Sequence, residues 1–163
     1  MGEASKIREM VLKWCTGKGL DLGCGSEKIH ENAIGVDVRP LPCVDVIWDI
    51  GQPLSFAQEG MYDYVFSSHA LEHLKEDPIT VVKHWFRVIR TGGYLVLYLP
   101  DMDYYTQPNP EHFQSFRFEP FRKAISEVPG FELVFCTHDV SEPGRYSFLI
   151  VGQKNDDEKE ARR

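Results

Sequence analysis

The sequence predicts an α/β domain built on one mostly parallel sheet that ends in an antiparallel hairpin. Apolar runs rich in β-branched residues alternate with segments of helical periodicity, as in parallel sheets whose strands are joined by crossovers. The last two apolar runs, 131–140 and 145–154, flank Ser141-Glu142-Pro143-Gly144, a turn sequence that predicts the hairpin. We expect one domain over residues 1–154 and a charged tail over 155–163.

The first third of the chain predicts one helix and three strands. Apolar residues at positions 7, 10, 11 and 14 recur at helical spacing and predict an amphipathic helix over 4–15. A short apolar run, Leu20-Asp21-Leu22, then leads into Gly23-Cys24-Gly25. The β-branched segments 33–38 and 44–50 predict the next two strands.

The remainder predicts a strand over 62–68, two helices and a buried strand over 94–99. Asp77-Pro78 is a good N-cap and first-turn pair, and Thr91-Gly92-Gly93 is expected to end the helix that follows it. Residues 100–118 carry three prolines and many aromatic residues, which predicts an irregular segment. Glu119-Pro120 then starts a helix that runs to about residue 128.

Composition argues against several classes of protein. The 163 residues are 42% hydrophobic, as expected for a folded globular domain with a sizeable core. A net charge of -7 argues against broad binding to nucleic acid or to an anionic membrane, because both need basic surfaces. Neither a membrane-span-length apolar run nor a signal-peptide core is found, and the four cysteines form no C-x-x-C pair. We expect a cytoplasmic protein with reduced thiols.

Three successive strands end in residues suited to a nucleoside. The glycines of Gly23-Cys24-Gly25 let the backbone turn sharply and approach a ligand, although Lys28 breaks the dinucleotide fingerprint G-x-G-x-x-G. Asp37 ends the second strand, where a carboxylate can accept both ribose hydroxyls. Asp49 ends the third and could accept from an adenine amino group, while Ile50 packs on the ring.

These segments together resemble the class I S-adenosylmethionine-dependent methyltransferases. "LDLGCG" is similar to the family's first motif, "GVDV" to its ribose-binding strand and "WDI" to its adenine-contacting strand. "YDYVFSSHALEHL" and "FRVIRTGGYLVLYLPD" resemble the fourth strand with its exit, and the helix, turn and fifth strand. The resemblance covers residues 18–101 and implies a Rossmann-like sheet of seven strands. It also implies a bound S-adenosyl-L-methionine, held by Asp21, Gly23, Cys24, Gly25, Asp37, Val38, Asp49, Ile50 and Ser68.

Two features depart from that family. Its first motif often carries a third glycine, where this chain has Ser26-Glu27-Lys28. Residues 26–32 leave little room for a crossover helix, and residues 38–43 leave none, although parallel strands usually need a dozen or more residues. We therefore expect trimmed crossovers around strands two and three, with thin cover over that part of the sheet.

The stretch His69-Ala70-Leu71-Glu72-His73 also matches H-x-x-E-H, a zinc-peptidase pattern. That chemistry needs both histidines within one helix and a third ligand. Here His69 directly follows a strand, and Asp77-Pro78 starts a new helix soon afterwards. The fourth-strand exit of the resembled family often reads H-x-L-E-H, so we interpret the stretch as that exit, with Glu72 or His73 bracing nearby backbone. We expect no zinc hydrolase and no bound metal.

The predicted function is methyl transfer to a small-molecule or sugar-type acceptor. His69, at the mouth of strand four, is the candidate catalytic base, with His112 and Asp101 in reserve. The aromatic segment 100–118 is the expected substrate cover. The alternative is a methyltransferase-like module that binds cofactor or a partner without turnover, which the trimmed crossovers favour. The Asp/Asn-Pro-Pro-aromatic signature of amino-methylating DNA enzymes is absent after strand four, which argues against a DNA substrate.

Overall fold

A seven-stranded sheet in the order β3-β2-β1-β4-β5-β7-β6 forms the centre of the molecule. The computed structural model describes residues 2–156, so most of the tail expected over 155–163 lies outside the described residues. The strands are β1 (Gly19–Leu22), β2 (Ile34–Asp37), β3 (Val46–Ile47), β4 (Tyr62–Ser68), β5 (Ile89–Pro100), β6 (Phe131–Asp139) and β7 (Ser147–Lys154).

Strand directions confirm the predicted fold class. The pairs β1–β2, β2–β3, β1–β4 and β4–β5 are parallel, whereas β7 runs antiparallel to both β5 and β6. The C-terminal hairpin therefore inserts its second strand beside β5. This architecture is the Rossmann-like sheet that the resemblance implies, and it brings the carboxyl ends of β1, β2 and β4 to one edge.

Within residues 2–156, three α-helices accompany the sheet: α1 (Arg8–Val11), α2 (Pro78–Arg87) and α3 (Phe118–Ser126). The predicted cap is present, because the Asp77 carboxylate accepts from the Thr80 backbone N–H at 2.9 Å and Pro78 occupies the first turn. Helix α2 ends at Arg87 and β5 already begins at Ile89, so Thr91-Gly92-Gly93 lies within the strand. No helix within residues 2–156 has the length and apolar character needed to cross a membrane.

The continuous helix predicted over 4–15 is wrong. The segment consists of 3₁₀ turns at Glu3–Lys6 and Leu12–Trp14 on either side of the single turn of α1. The backbone of Ile7 leaves the helical region, with φ at -120°, and this interrupts the helix. Its apolar residues still pack, since Ile7 and Val11 are buried against the sheet.

The two faces of the sheet are covered unequally. Helices α2 and α3 pack on one face in a large core that includes Trp85, Phe121 and Phe148. The other face carries a smaller core, formed by Tyr64, Tyr98 and the N-terminal segment. Helix crossovers are absent from residues 23–33 and 38–45, as the sequence predicts. The strand predicted over 44–50 shortens to Val46–Ile47, with Ile47 exposed at the sheet edge.

Candidate functional site

The loop after β1 depends on two glycines in the left-handed region. Gly23 has φ 71° and Gly25 has φ 59°, a conformation that side chains disfavour. A Cβ atom at Gly23 would also lie 2.5 Å from the Ala70 Cβ, at the exit of β4. The Gly23 N–H donates to the Val36 carbonyl at 2.8 Å, which ties the loop to β2. The predicted Gly-x-Gly turn thus joins the ends of three strands.

Asp37 at the end of β2 is held by its neighbours. Its Oδ2 accepts from the Gly25 backbone N–H at 3.0 Å, and its Oδ1 accepts from the Arg39 backbone N–H and from Arg39 Nε, both at 3.0 Å. Burial alone would raise the pKa of this carboxyl, but the bonds from Arg39 and Gly25 outweigh burial and lower the pKa below its usual value. Asp37 is therefore ionised and already paired.

A first cleft of about 380 Å³ opens beside Asp37. It contains five of the predicted cofactor-binding residues, Gly23, Asp37, Val38, Asp49 and Ile50. The remaining lining residues are Arg39, His69, Ala70, His73, Leu74 and Glu111.

The first cleft combines apolar walls with acceptors at its rim. Val38 is 58% exposed, an unusual position for an aliphatic side chain, and it faces the cleft. Ile50 is buried, and its carbonyl accepts from the Trp85 indole N–H at 2.8 Å, which fixes the floor. Asp49 is exposed, and its Oδ1 accepts from the Gly51 N–H at 3.0 Å. Such a cleft suits a flat ring with polar edges.

A second cleft of about 350 Å³ lies on the other side of the glycine loop. The predicted residues Asp21, Gly23, Cys24, Gly25 and Ser68 all line it. Other members of the lining include Glu3, Arg39, Phe66 and His69. Gly23, Arg39 and His69 line both clefts, so the two spaces meet there.

The second cleft holds one buried hydroxyl without a partner. Within the described chain, Ser68 Oγ is buried and makes no hydrogen bond, whereas Glu3 Oε2 pairs with Lys6 Nζ at 2.8 Å. Asp21 is also buried, and its Oδ2 accepts from the Ile29 N–H at 2.6 Å. Burial raises the pKa of Asp21 to about 7, although the Ile29 bond acts in the opposite direction. A buried carboxyl group beside a hydroxyl without a partner suits a ligand that carries an ammonium group.

His69 stands where the two clefts meet, in a strained conformation. Its φ of 49° makes it the single non-glycine residue with positive φ between residues 2 and 156. The backbone N–H donates to the Tyr98 carbonyl at 2.9 Å, and Nε2 lies 2.9 Å from Ser147 Oγ. Burial lowers the pKa of His69 to about 4, so the imidazole is neutral at pH 7. Left-handed non-glycine residues cluster at functional sites.

The H-x-x-E-H stretch forms a single 3₁₀ turn, Leu71–His73, rather than a helix that carries both histidines. Burial raises the pKa of Glu72 to about 8. The Nδ1–H of His73 donates to the Glu111 carbonyl at 3.0 Å, so this side chain does brace neighbouring backbone. His112 lies against His73, with ring centroids 4.8 Å apart.

Segment 100–118 is irregular, as predicted, and lies over the strand ends. Residues of this segment line a third cleft of about 250 Å³, among them Met102, Tyr105, His112 and Gln114. The Phe113 and Gln114 N–H groups donate to the Glu72 carbonyl, which anchors the segment to the exit of β4. The reserve residue Asp101 is buried, and its Oδ2 lies 2.7 Å from His138 Nε2.

Sequence reasoning missed three contributors to the site. Arg39 pairs with Asp37, Glu3 reaches the second cleft from the N-terminal segment, and Ser147 contacts His69 from β7. Arg39 follows Asp37 by two residues, so the spacing could have indicated the pair. Glu3 and Ser147 are 66 and 78 residues away from His69 along the chain, and no local pattern indicates contacts of that range.

Comparisons with known proteins agree with this architecture. Residues 20–97 match the family model described as a methyltransferase domain. A crystal structure of an S-adenosylmethionine-dependent methyltransferase from Archaeoglobus fulgidus has 19% identity and a TM-score of 0.70, over 94% of this chain and 95% of that one. No curated protein matches the sequence.

Two further structures share the fold. A 1,6-didemethyltoxoflavin-N1-methyltransferase from Burkholderia thailandensis, solved with its substrate and S-adenosylhomocysteine, has 18% identity and a TM-score of 0.67, over 94% of this chain and 77% of that one. An S-adenosylmethionine-dependent methyltransferase from Clostridium acetobutylicum has 10% identity and a TM-score of 0.67, over 94% and 91%. Together these findings show that residues 20–97 are similar to the methyltransferase-domain model and that the chain shares the fold of S-adenosylmethionine-dependent methyltransferases.

Proposed function

We propose that the protein is an active enzyme that transfers a methyl group from S-adenosylmethionine to a small-molecule acceptor, including acceptors of the sugar type. The observation that carries this proposal is the meeting of two clefts around Gly23 and His69. The first cleft offers apolar walls and a paired carboxylate, and the second offers the buried Asp21 carboxyl group and the Ser68 hydroxyl, which has no partner among the described residues. A nucleoside joined to an amino acid has these two kinds of surface.

The residues present fit the two ends of that cofactor. Asp37 would accept from the ribose hydroxyls, Val38 and Ile50 would pack on the adenine, and Asp49 would accept from its amino group. Asp21, together with the Ser68 hydroxyl, would hold the α-ammonium group in the second cleft. Gly23, Cys24 and Gly25 would lie between the two ends, where side chains on the glycines would obstruct the ligand.

The chemistry needs positioning more than covalent help. When bound, the cofactor supplies a methyl group on a sulfonium; the acceptor's lone pair forms the new bond to carbon while the carbon–sulfur electrons go to sulfur. The protein's part is to align the acceptor with this methyl and to take up its proton. We assign the proton to His69, because it lies where the clefts meet. Its lowered pKa leaves the ring neutral at pH 7 but makes it a weak base, so the assignment rests on its position.

A small acceptor is favoured by the size and lining of the third cleft. This cleft of about 250 Å³, lined by residues of the segment 100–116 itself, accommodates one ring or a sugar rather than a macromolecule. Tyr105 offers an aromatic face, and Gln114 offers an amide for hydroxyl groups. The net charge of -7 disfavours a nucleic-acid acceptor. The structural neighbour from Burkholderia thailandensis methylates a small heterocycle, which supports the same class.

A binding module without turnover is the second candidate, and the lack of helix crossovers in residues 23–33 and 38–45 favours it. In both candidates the cofactor meets Arg39, whose guanidinium donates to both Asp37 oxygens, at 3.0 and 3.2 Å, and so occupies the acceptors that a ribose would use. Ribose binding then requires Arg39 to move away. Because the Arg39 side chain is 62% exposed, this displacement costs roughly 1 kcal/mol or less.

A turnover assay separates the two candidates. The protein is incubated with S-adenosylmethionine and a panel of hydroxylated, amino and heterocyclic acceptors, and S-adenosylhomocysteine release is measured. We expect release above the acceptor-free background for at least one small acceptor and its loss in Gly23→Val, with Gly144→Val as the control. Cofactor binding by calorimetry with no release over the whole panel would support the binding module instead.

A further inference from the structure

We propose that Glu72, His73 and His112 form a binding site for a divalent transition-metal ion at the edge of the first cleft. One carboxylate oxygen and one nitrogen from each imidazole lie within 4.8 Å of one another. One carboxylate with two imidazoles suits first-row ions such as Zn²⁺, Co²⁺ and Mn²⁺. The set differs from H-x-x-E-H, because His112 takes the place of His69.

Glu72 provides the strongest indication. Its side chain is 1% exposed, and in the part of the chain that the structure describes neither carboxyl oxygen has a hydrogen-bond partner. The imidazole nitrogens His73 Nε2, at 3.7 Å, and His69 Nδ1, at 3.8 Å, are too far from Glu72 Oε1 for hydrogen bonds. Buried carboxyl groups without partners are rare and costly, and a cation at this point would supply the missing contact.

His73 is oriented as a metal ligand. Its Nδ1 lies 3.0 Å from the Glu111 carbonyl oxygen, which can only accept, so Nδ1 carries the proton. In the neutral ring, Nε2 then bears the free lone pair, and this atom faces Glu72. Metal-binding histidines usually donate their other N–H to a carbonyl or carboxylate in this way.

His112 completes the set from the irregular segment. Its ring lies at 82° to that of His73, with centroids 4.8 Å apart, and stacks on Tyr105 at 5.2 Å. Ligands about 2.1 Å from a tetrahedral ion stand about 3.4 Å apart, so closure requires a shift of about 1 Å. His112 is partly exposed and lies on a turn, where such a shift is easily accommodated.

His69 does not belong to the set. Its Nδ1 lies 3.8 Å from Glu72 Oε1, but the group of ligand atoms within 4.8 Å of one another consists of Glu72, His73 and His112. Three protein ligands leave at least one coordination position for water or another oxygen. His73 lines the first cleft and His112 the third, so that position lies between the two. We assign the open position to an acceptor oxygen; this role rests on the proposed function, whereas metal binding does not.

Metal binding is tested on the full chain after removal of bound ions with a chelator. Titration with Co²⁺ is followed by visible absorption and by calorimetry. We expect one ion per chain and d–d bands from mixed nitrogen and oxygen coordination. His112→Gln and Glu72→Gln should each weaken binding at least about 10-fold to 100-fold. The matched control is His84→Gln, on α2 and outside the set, which should bind as the wild type does.

S-adenosylhomocysteine affinity, measured on the same samples, separates this inference from the proposed function. Retained cofactor affinity with lost Co²⁺ binding in His112→Gln supports the metal site; His112 is on the partly exposed turn, so this variant tests the inference even if Glu72→Gln fails to fold. Metal binding without any methyl transfer would leave the site in place and defeat the proposed enzyme. Absence of stoichiometric Co²⁺ binding in the wild type, or equal affinity in His112→Gln and His84→Gln, would overturn the inference.

Discussion

Asp21 on β1 and Asp37 on β2 are two carboxyl groups on neighbouring strands, and their surroundings are opposite. Asp37 accepts from Gly25 and Arg39, and these bonds keep it ionised despite its burial. Asp21 accepts one backbone N–H, and burial raises its pKa to about 7. Asp37 thus already has a cationic partner, Arg39, which a ribose must displace, whereas the hydrogen bond that Asp21 accepts among the described residues comes from the neutral Ile29 N–H.

The largest expected effect concerns Asp21, whose ionisation in the folded protein lowers the free energy of unfolding. A carboxyl whose folded pKa is about 7, above its unfolded value of 3.8, favours folding fully below about pH 4 and loses that contribution as the pH rises to 7. The loss is roughly 4 kcal/mol at most. Asp21→Asn keeps an acceptor for Ile29 but does not titrate, so its stability relative to wild type should rise between pH 4 and 7.

Urea unfolding of both proteins across that range measures the effect. Asp45→Asn is the control, because Asp45 accepts from the Gly35 N–H and from Lys28, which lower its pKa. The stability of Asp45→Asn relative to wild type should fall as the pH rises, and this change should occur at lower pH than the change for Asp21→Asn. A pH-independent difference between Asp21→Asn and wild type would show that Asp21 is ionised throughout.

The next largest effect concerns Gly23, which both clefts share. In Gly23→Ala the alanine has to keep a positive φ, and its Cβ would lie 2.5 Å from the Ala70 Cβ. Together these should lower the free energy of unfolding by roughly 2–4 kcal/mol. Gly144→Ala has a similar φ of 82° but nothing within 4 Å, so it should cost only about 1–2 kcal/mol. Thermal unfolding of both variants measures the stability that each loses. Equal losses would contradict the expectation that the contact with Ala70 adds to the cost at Gly23.

Substitution of His69 is expected to lower the rate of methyl transfer and to leave binding of both ends of the cofactor unchanged. His69→Gln should lower kcat about 10²-fold if the imidazole accepts the proton of the acceptor. Because burial lowers the pKa of His69 to about 4, wild-type activity should persist at pH 5 and fall towards pH 4. A rate–pH profile tests this, with His30→Gln as the control because His30 binds Tyr64 away from both clefts. Nearly full turnover with the same acidic limb in His69→Gln would move the assignment to His112.

The smallest effect concerns the ion pair in the first cleft. Arg39→Ala should raise cofactor affinity by up to about 5-fold, because exposed ion pairs contribute roughly 0.2–1 kcal/mol. Arg122→Ala, which removes a pairing with Glu119 on α3, should leave affinity unchanged. Calorimetry compares them. Weaker binding in Arg39→Ala would mean that Arg39 contacts the ligand instead of competing with it.

The sequence indicates the regular part of the fold because local patterns determine it. β4, β5 and the final hairpin come from apolar and β-branched runs, and Asp77-Pro78 marks the start of α2. The N-terminal helix was wrong because a helical pattern of apolar residues can also be buried by successive 3₁₀ turns. The third strand was overextended because Trp48 and Ile50 are residue types common in strands but lie past Ile47, the last residue paired with β2.

The site is partly predictable for a similar reason. Glycines and aspartates at strand ends can be read from spacing, because a parallel sheet brings those ends together, and all nine predicted cofactor residues line one of the two clefts. Contacts made by irregular segments cannot be predicted from the spacing of residues in the sequence. His112 approaches His73 only because backbone bonds to the Glu72 carbonyl fix the path of segment 100–118.

The central claim, that the paired clefts bind S-adenosylmethionine with Asp37 as the ribose anchor, is tested most directly by calorimetry. Wild type, Asp37→Asn and Asp63→Asn are titrated with S-adenosylhomocysteine. Asp63 is the matched control, because it accepts from Arg90 and from the Lys18 N–H at the start of β4. The account predicts 1:1 binding to wild type and Asp63→Asn, and a loss of roughly 1–3 kcal/mol, about 5-fold to 150-fold, in Asp37→Asn. Equal affinity in Asp37→Asn and wild type, or no binding to wild type, would contradict it.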